Sequence, residues 1–253
     1  MYIHEITVHN TNAAEQTVPF IIQKFQPKSL LDVGCGIGTW LKVFKENGVV
    51  NIKGIDGNYV NREQLFNNID EKEFQSFDLS KPFNLNERFD LLICLEVAEH
   101  LPLDSAEEFI DSLIIHADTI IFGAAVPGQW GQNHLNEQWT EYWISLFNKK
   151  GYHVYDGIRP HIWNNDKVEW WYKQNMLVFS KHPVEKNTHS PLYQSIIHPY
   201  HFDQKLKYIH QQNEVLAALK LEFYQWQQTK QGVRHHWACF LKALLNKIYK
   251  KNI

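Results

Sequence analysis

Apolar residues follow two alternating patterns along most of the chain. Short continuous apolar runs indicate buried strands. The predicted strands are Ser29–Val33, Asn51–Gly57, Phe74–Leu79, Phe89–Glu96, Thr119–Ala124, Gly151–Asp156 and Asn175–Ser180. Apolar residues that recur every three or four positions indicate amphipathic helices, which are predicted at Ala13–Phe25, Gly38–Glu46, Asp104–His116 and Trp139–Asn148. Strands that alternate with helices predict an α/β domain with a doubly wound, mostly parallel sheet.

Some local features of this part of the chain refine the prediction. Asn12 is a plausible N-cap of the first helix, and Pro19 predicts a turn or kink within it. Residues 159–171 are aromatic and polar, and they are predicted to form a connection between the last two strands.

The pattern changes after the last predicted strand. Prolines in the segment that follows indicate a linker at 183–202, between a domain at 1–182 and a helical extension at 203–253. A long helix is predicted at Asp203–Gln228, where Ile209, Leu216 and Phe223 recur at heptad spacing and predict a short coiled-coil seam. The last helix is apolar on one face from Trp237 to Ile248 and carries only basic charges, which is typical of a surface that binds lipid or a partner.

Composition narrows the class of protein. The net charge of −3 gives no global bias toward nucleic acid, so no nucleic-acid partner is expected. The sequence shows neither a signal peptide nor an apolar run long enough to span a bilayer. Cys35, Cys94 and Cys239 are scattered, as in proteins with reduced thiols. We therefore expect a cytoplasmic protein. The apolar face of the last helix is expected first to pack on the domain at 1–182 or on a second subunit, and second to contact the inner face of the membrane.

A glycine motif follows the first predicted strand. Asp32 precedes Gly34, Gly36 and Gly38, which have G-x-G-x-G spacing, and Thr39 stands where a dinucleotide fingerprint would place its third glycine. The motif resembles motif I of class I S-adenosylmethionine-dependent methyltransferases. A carboxylate suits this cofactor because its ammonium and sulfonium groups are positively charged. The resemblance implies a Rossmann-like fold with a final antiparallel strand, and S-adenosylmethionine bound by Asp32 and the glycines.

Further cofactor contacts are predicted at the ends of the next strands. Asp56 lies about twenty residues beyond the glycines, where an acid commonly binds the ribose diol. Its two oxygens match two vicinal hydroxyls. Asp78 and Leu79 occupy the place that the methyltransferase pattern gives to adenine contacts, although Asp78 could equally cap a turn. Glu96, at the end of the fourth strand, completes the predicted cofactor set.

A second motif follows that fourth strand. On a helical turn, Glu96, Glu99 and His100 would share one face and could bind a divalent cation. The E-x-x-E-H pattern resembles the metal-binding element of ubiquinone-pathway O-methyltransferases and of small-RNA 2′-O-methyltransferases. In the latter a later histidine completes the site, and His134 resembles it here. The resemblance implies a Mg or Mn site formed by Glu96, Glu99, His100 and His134.

A metal-free interpretation stays open. Gln138 separates Glu137 from Trp139, where the RNA enzymes have an adjacent acidic-aromatic pair, and many methyltransferases without metal also carry an acid and E-H at this place. Without a metal, His134 or His100 becomes the predicted general base, because imidazole titrates near neutrality. Glu96 is the third predicted catalytic residue.

Other segments resemble a bacterial methyltransferase branch associated with surface-polysaccharide synthesis. They are Gly36–Trp40, Glu96–Leu101, Pro127–Gln129 and Asn136–Trp139. The resemblance implies an O-methyltransferase that acts on a sugar, a nucleotide-linked sugar or another small polar acceptor in capsule or surface-glycan synthesis. Aromatic residues that could stack on such an acceptor, or pack in the core, are Trp163, Trp170, Trp171 and Tyr172.

Two alternative functions remain at this stage. An RNA 2′-O-methyltransferase would fit the metal motif, although the catalytic domain shows no basic groove in sequence. A non-catalytic protein that binds S-adenosylmethionine would use the coiled-coil helix as a scaffold. The heptad seam itself favours a homodimer.

Overall fold

The computed structural model describes residues 10–182, 195–228, 240–241 and 243–244. These residues fall into two compact units that are separated in sequence between His198 and Pro199. The predictions for residues 1–9, for linker residues 183–194, for Cys239 and for most of the last helix lie outside the described residues. Cys35 and Cys94 are buried free thiols, as predicted.

The first unit is built on a sheet with the strand order β3-β2-β1-β4-β5-β7-β6. β1 to β5 run parallel, and β7 pairs antiparallel with both β5 and β6. The strands are β1 Ser29–Val33, β2 Asn51–Asp56, β3 Phe74–Ser76, β4 Leu91–Leu95, β5 Thr119–Gly123, β6 His153–Tyr155 and β7 Leu177–Ser180. The structure therefore confirms the doubly wound, mostly parallel sheet. Its order reverses between β1 and β4, and open α/β sheets bind ligands at such a point.

Helices cover both faces of this sheet. Their bounds are α1 Asn12–Phe25, α2 Thr39–Glu46, α3 Arg62–Phe66, α4 Ala106–Ile114, α5 Thr140–Lys149, α6 Arg159–Ile162 and α7 Trp170–Asn175. Successive residues of β1 belong to different cores: Leu30 packs with α1 and α2, whereas Leu31 packs with α4 and α5. Burial on both faces explains why the central strands are continuously apolar.

Several predicted boundaries differ from the structure. β3 ends at Ser76, so Asp78 and Leu79 lie in the turn beyond the strand. The N-cap of α1 is Thr11, and the predicted cap Asn12 is the first helical residue. Pro19 lies inside α1. It deprives the helix of the hydrogen bond that an N–H at this position would donate to the carbonyl of Glu15.

The segment 159–171, predicted to be a connection, contains α6 and the start of α7, two short helices that were not predicted. Arg159 is buried, donates to the Asp156 carboxylate over 2.6 Å and reaches the carbonyl oxygen of Gln174 over 3.0 Å. The contact with Gln174, 15 residues away, helps to stabilise short helices that have too few turns to show a period in sequence.

The second unit contains the long helix α8, Pro199–Gln228. It includes the predicted Asp203–Gln228 helix and begins earlier, within the predicted linker, because proline is accepted at the start of a helix. Ile209 and Leu216 are 51% and 47% exposed within the described residues. No described helix has the length and apolar character needed to span a membrane.

Candidate functional site

The turn between β1 and α2 depends on glycine at specific positions. Gly34 and Gly38 have φ values of 80° and 76°, which side chains rarely adopt. Gly38 is also the N-cap of α2. A Cβ on Gly34 would lie 2.3 Å from Cγ2 of Val97, so glycine lets the segment after β4 approach this turn closely. The glycine motif therefore shapes the edge of the sheet where β1 and β4 end.

Asp56 ties the end of β2 to the glycine turn. Its Oδ2 accepts a hydrogen bond from the Gly36 N–H over 2.7 Å, and its Oδ1 accepts one from the Gly57 N–H over 2.6 Å. A carboxylate has further lone pairs, so both oxygens can still accept from a ligand hydroxyl. Asp32 lies buried nearby. Burial raises the pKa of its carboxyl well above the usual range, and the Asp56 charge raises it further.

A cavity of about 870 Å³ opens at this edge of the sheet. Most of the residues predicted from sequence to bind cofactor, metal or acceptor line it. They are Asp32, Gly34, Gly36, Asp56, Asp78, Leu79, Glu96, Glu99, His100 and His134. Gly38 does not line the cavity and acts through the backbone of the turn.

One end of the cavity is formed by the segments that follow β2 and β3. Leu79 is buried, and Asp78 accepts hydrogen bonds from the N–H and the hydroxyl of Ser80. Asp78 thus holds its own turn while lining the cavity, so the two sequence interpretations are compatible. The Tyr59 ring covers Gly57 so closely that a Cβ there would lie 2.2 Å from Tyr59 Cε1.

Glu96 adopts a conformation that its sequence pattern does not predict. Its φ is 56°, and the turn that follows is a short 3-10 helix at Ala98–His100. The expected helical face shared by Glu96, Glu99 and His100 is therefore wrong. Amide groups hold the Glu96 carboxylate instead: Gln129 Nε2 donates to Oε2 over 2.7 Å, and Asn175 Nδ2 donates to Oε1 over 2.9 Å.

This environment makes Glu96 an acid that titrates near neutrality. Burial raises the pKa of its carboxyl to about 7, although the hydrogen bonds from Asn175 and Gln129 favour the ionised form. The two amides are fixed in turn, because Gln129 Oε1 accepts from Asn175 Nδ2 over 2.9 Å and from Gln174 Nε2 over 3.3 Å. Sequence analysis did not single out Asn175 or Gln174. The signal that could have identified them is a pair of adjacent amide residues just before a buried strand.

Glu99, His100 and His134 form a compact group. One carboxylate oxygen of Glu99 and one ring nitrogen of each histidine lie within 4.8 Å of one another. Glu99 is fully buried, and no side-chain donor or cation among the described residues contacts either of its oxygens. Burial raises the pKa of this carboxyl, and the Glu96 charge raises it further, whereas the backbone N–H groups of Glu99 and Ala125 lower it.

The rings of His100 and His134 lie edge to face within this group. Their ring centroids are 4.9 Å apart at an interplanar angle of 77°. Burial lowers the pKa of His100 to about 4, and the neighbouring His134 lowers it as well. His100 is therefore neutral at physiological pH and can offer a nitrogen lone pair. Nδ1 of His134 lies 2.7 Å from Oε1 of Glu137.

Aromatic side chains form much of the remaining wall. Trp130 is 54% exposed and has a φ of 59°, and Trp170 and Trp171 lie edge to face with centroids 5.5 Å apart. Of the aromatic residues predicted to stack on an acceptor, Trp170, Trp171 and Tyr172 line the cavity. Trp163 does not line it and packs instead against His198, with centroids 4.7 Å apart.

The comparison with known structures agrees with this fold. The sugar N-methyltransferase KedS8 from Streptoalloteichus sp. is 13% identical, with a TM-score of 0.54 over 72% of this chain and 96% of its own. CalS10, an amino pentose methyltransferase from Micromonospora echinaspora, is 12% identical, with a TM-score of 0.52 over 72% of this chain and 98% of its own. The methyltransferase domain of bacterial CtHen1-C is 18% identical, with a TM-score of 0.50 over 68% and 98%.

Sequence comparison identifies the family. No curated protein matches the chain significantly. A family model described as a methyltransferase domain matches residues 7–195, which include the whole sheet and the cavity. The chain therefore belongs to this methyltransferase family and is a class I S-adenosylmethionine-dependent methyltransferase.

Proposed function

We propose that the protein transfers the methyl group to a hydroxyl of a sugar or another small polar acceptor, assisted by a divalent cation. The observation that carries this proposal is the Glu99 carboxylate, which is fully buried and contacts no side-chain donor or cation among the described residues. A buried carboxylate in that state is costly unless it is protonated or meets a cation. A cation next to His100 and His134 would supply the missing partner.

The donor set suits a divalent metal ion. Carboxylate oxygen is a ligand for Mg²⁺ and Mn²⁺, whereas imidazole nitrogen is preferred by transition metals, so Mn²⁺ fits these three side chains better than Mg²⁺. Glu99, His100 and His134 would hold the ion. Glu96 was also predicted as a ligand, but it is not one of the three residues whose ligand atoms lie within 4.8 Å of one another, and amide groups hold its carboxylate. We therefore assign it to the cofactor side of the cavity.

The reaction would be an in-line displacement at the sulfonium methyl. The carbon–sulfur bond breaks as the acceptor oxygen bonds to carbon, and the hydroxyl proton leaves to a base. The glycine turn and Asp56 would position the methyl donor, and positioning is a main contribution of the protein to such a step. A bound cation would lower the pKa of the acceptor hydroxyl. With the cation bound, His134 would be one of its ligands, and the hydroxyl proton would leave to solvent. Without metal, the free Nε2 of His134 would accept that proton as the general base.

The cavity wall supports a polar ring as the acceptor. Trp130, Trp170 and Trp171 offer aromatic surfaces, and stacking on such surfaces combines an apolar face with a polar edge. The names of KedS8 and CalS10 describe sugar methyltransferases, which agrees with this substrate class. The motif resemblance supports a place in capsule or surface-glycan synthesis in the cytoplasm. RNA is the competing acceptor, and methylation of RNA but of no sugar would contradict this proposal.

For the second unit, we propose a homodimer through one face of α8. Ile209 and Leu216 are exposed on this helix at heptad spacing and would be covered by a second copy. Membrane contact through the basic residues after Arg234 is the secondary role that the sequence supports.

Chelation tests the proposed chemistry. Formation of S-adenosylhomocysteine with a panel of sugars and nucleotide-linked sugars should stop in EDTA and resume with Mn²⁺. Glu99→Gln should lose both Mn²⁺ binding and rate, whereas Glu107→Gln should lose neither, because Glu107 lies on α4 outside the cavity. Full activity in EDTA, together with an active Glu99→Gln variant, would exclude the cation and leave His134 as the general base.

A further inference from the structure

Glu137 lies near the end of the loop between β5 and α5, three residues before Thr140. Its Oε2 accepts a hydrogen bond from the Gly128 N–H over 2.6 Å. Its Oε1 accepts one from the Trp130 N–H over 2.9 Å and lies 2.7 Å from Nδ1 of His134. One side chain therefore connects the start of the loop, an aromatic residue of the cavity wall and a histidine of the Glu99 group.

These contacts determine which nitrogen of His134 carries the proton. An ionised carboxylate only accepts hydrogen bonds, and both Glu137 oxygens already accept from backbone N–H groups. The His134 Nδ1 must then be the donor, so the lone pair of a neutral ring lies on Nε2. Nε2 is the nitrogen that remains for a ligand or for the acceptor proton. Carboxylate partners of this kind orient histidine ligands in many metal sites.

The same carboxylate places Trp130. This residue has a φ of 59° and lines the cavity while 54% of it is exposed. A bulky residue in the left-handed region is uncommon and persists only where the surroundings hold it. The hydrogen bond from its N–H to Glu137 supplies such a constraint.

The loop is also fixed to the turn after β4. The carbonyl oxygen of Glu99 accepts hydrogen bonds from the N–H groups of Leu135 and Asn136, over 2.8 and 2.9 Å. The backbone thus sets the distance between Glu99 and the loop, while Glu137 sets the ring of His134 within it. We infer that Glu137 is a positioning residue, which fixes the tautomer of His134 and the place of Trp130 in the acceptor wall; this inference rests on the proposed function.

The tautomer of His134 in metal-free protein tests the inference directly. With ¹⁵N-labelled histidine, NMR of the full chain should show His134 protonated on Nδ1. Glu137→Met removes all the acceptor atoms from an unbranched side chain, so the proton should redistribute toward Nε2. Glu141→Met is the matched control, because Glu141 also accepts hydrogen bonds, from Ser195, but does not line the cavity.

Two results would overturn the inference. One is a wild-type His134 that carries its proton on Nε2, which needs no variant to observe. The other is an unchanged tautomer in folded Glu137→Met.

Metal affinity provides a separate readout. Calorimetry should show Mn²⁺ binding to Glu137→Met weakened by about 10–100-fold, as for other partners of histidine ligands, with no change in Glu141→Met. Equal Mn²⁺ affinity in wild type and Glu137→Met would contradict the positioning role. If the wild-type protein binds no Mn²⁺, the proposed cation fails, while the tautomer of His134 still decides the role of Glu137.

Discussion

Asn175 donates a hydrogen bond to Glu96 over 2.9 Å, although the two residues are 79 positions apart in sequence. Asn175 is the last residue of α7 and is separated from the antiparallel β7 by Met176, and Glu96 directly follows β4. The hydrogen bond therefore connects the segment that leads into β7 with the end of β4, where the cavity opens. It also helps to hold Glu96 at its φ of 56°.

The first prediction concerns the pH dependence of activity. Asn175→Ala removes a hydrogen bond that favours the ionised form of Glu96, so the pKa of Glu96 should rise above its value of about 7. If ionised Glu96 is required, the acid limb of kcat/KM against pH should move to higher pH. Asn165→Ala is a matched control, because Asn165 donates to Gln16 and does not line the cavity. An acid limb that is the same in both variants would show that Glu96 is not the titrating group.

The sequence predicted this site only in part, for a physical reason. The glycine turn and Asp56 could be placed because strand, turn and helix follow one another locally. Glu96 was placed wrongly on a helical turn, because spacing alone does not reveal that it has a positive φ. Its carboxylate is held by Gln129 and Asn175, which are 33 and 79 positions away in sequence, so the local pattern carries no sign of them.

The fold was predicted better than the connections within it. Continuous apolar runs located the strands of the sheet, since burial on both faces leaves a strong signal. α6 and α7 were missed because each is short and stabilised by distant partners, such as the carbonyl of Gln174 for Arg159. Trp163 was grouped with the residues that could stack on an acceptor, but it packs against His198.

The second prediction concerns cofactor affinity. Asp56→Ala removes the acceptor of the Gly36 and Gly57 N–H groups and the predicted partner of the ribose hydroxyls. A hydrogen bond to a charged group is worth about 1.5–3 kcal/mol, so calorimetry should show binding of S-adenosylhomocysteine weakened by about tenfold or more. Asp104→Ala, outside the cavity, should bind normally. Normal binding by Asp56→Ala would remove Asp56 from the cofactor site.

The third prediction concerns stability at low pH and rests on His116. Its Nε2 accepts a hydrogen bond from the Leu85 N–H over 2.9 Å, while Nδ1 lies 2.5 Å from the Ser112 carbonyl oxygen and donates to it. The Nε2 contact requires the neutral ring, whereas Nδ1 can donate to Ser112 in either protonation state. Burial lowers the pKa of His116 in the folded protein, and the positive charge of Arg88 lowers it further, against the opposing effect of the Ser112 hydrogen bond.

The sign of the effect follows from this lowered pKa. The unfolded chain takes up the His116 proton first, at about pH 6.5, so the contribution to stability is present above that pH and is lost as the pH falls below it. Urea unfolding should show a steeper loss of free energy between about pH 7 and pH 5 for wild type than for His116→Gln. The exposed His153 provides the control as His153→Gln. Parallel slopes for wild type and His116→Gln would contradict this assignment.

The last prediction tests the proposed dimer through α8. Leu216 lies on the heptad seam with Ile209 and Phe223, whereas Leu221 lies off that seam and is 61% exposed. If the seam packs against a second copy, Leu216→Glu should place a charge in a buried interface and give a monomer in sedimentation velocity experiments. Leu221→Glu adds the same charge to the same helix and should leave the dimer intact.

A deletion variant separates contact with a second protein copy from contact with lipid. Deletion of Arg234–Ile253 should preserve binding of S-adenosylhomocysteine, because the cavity is formed by residues of the first unit. If the deleted segment binds lipid, the truncated protein should no longer sediment with anionic vesicles. Leu216→Glu, which keeps that segment, should still sediment with them. A wild-type protein that is monomeric and does not bind vesicles would contradict both proposed roles, because exposed Leu216 would then have neither a protein nor a lipid surface to cover it.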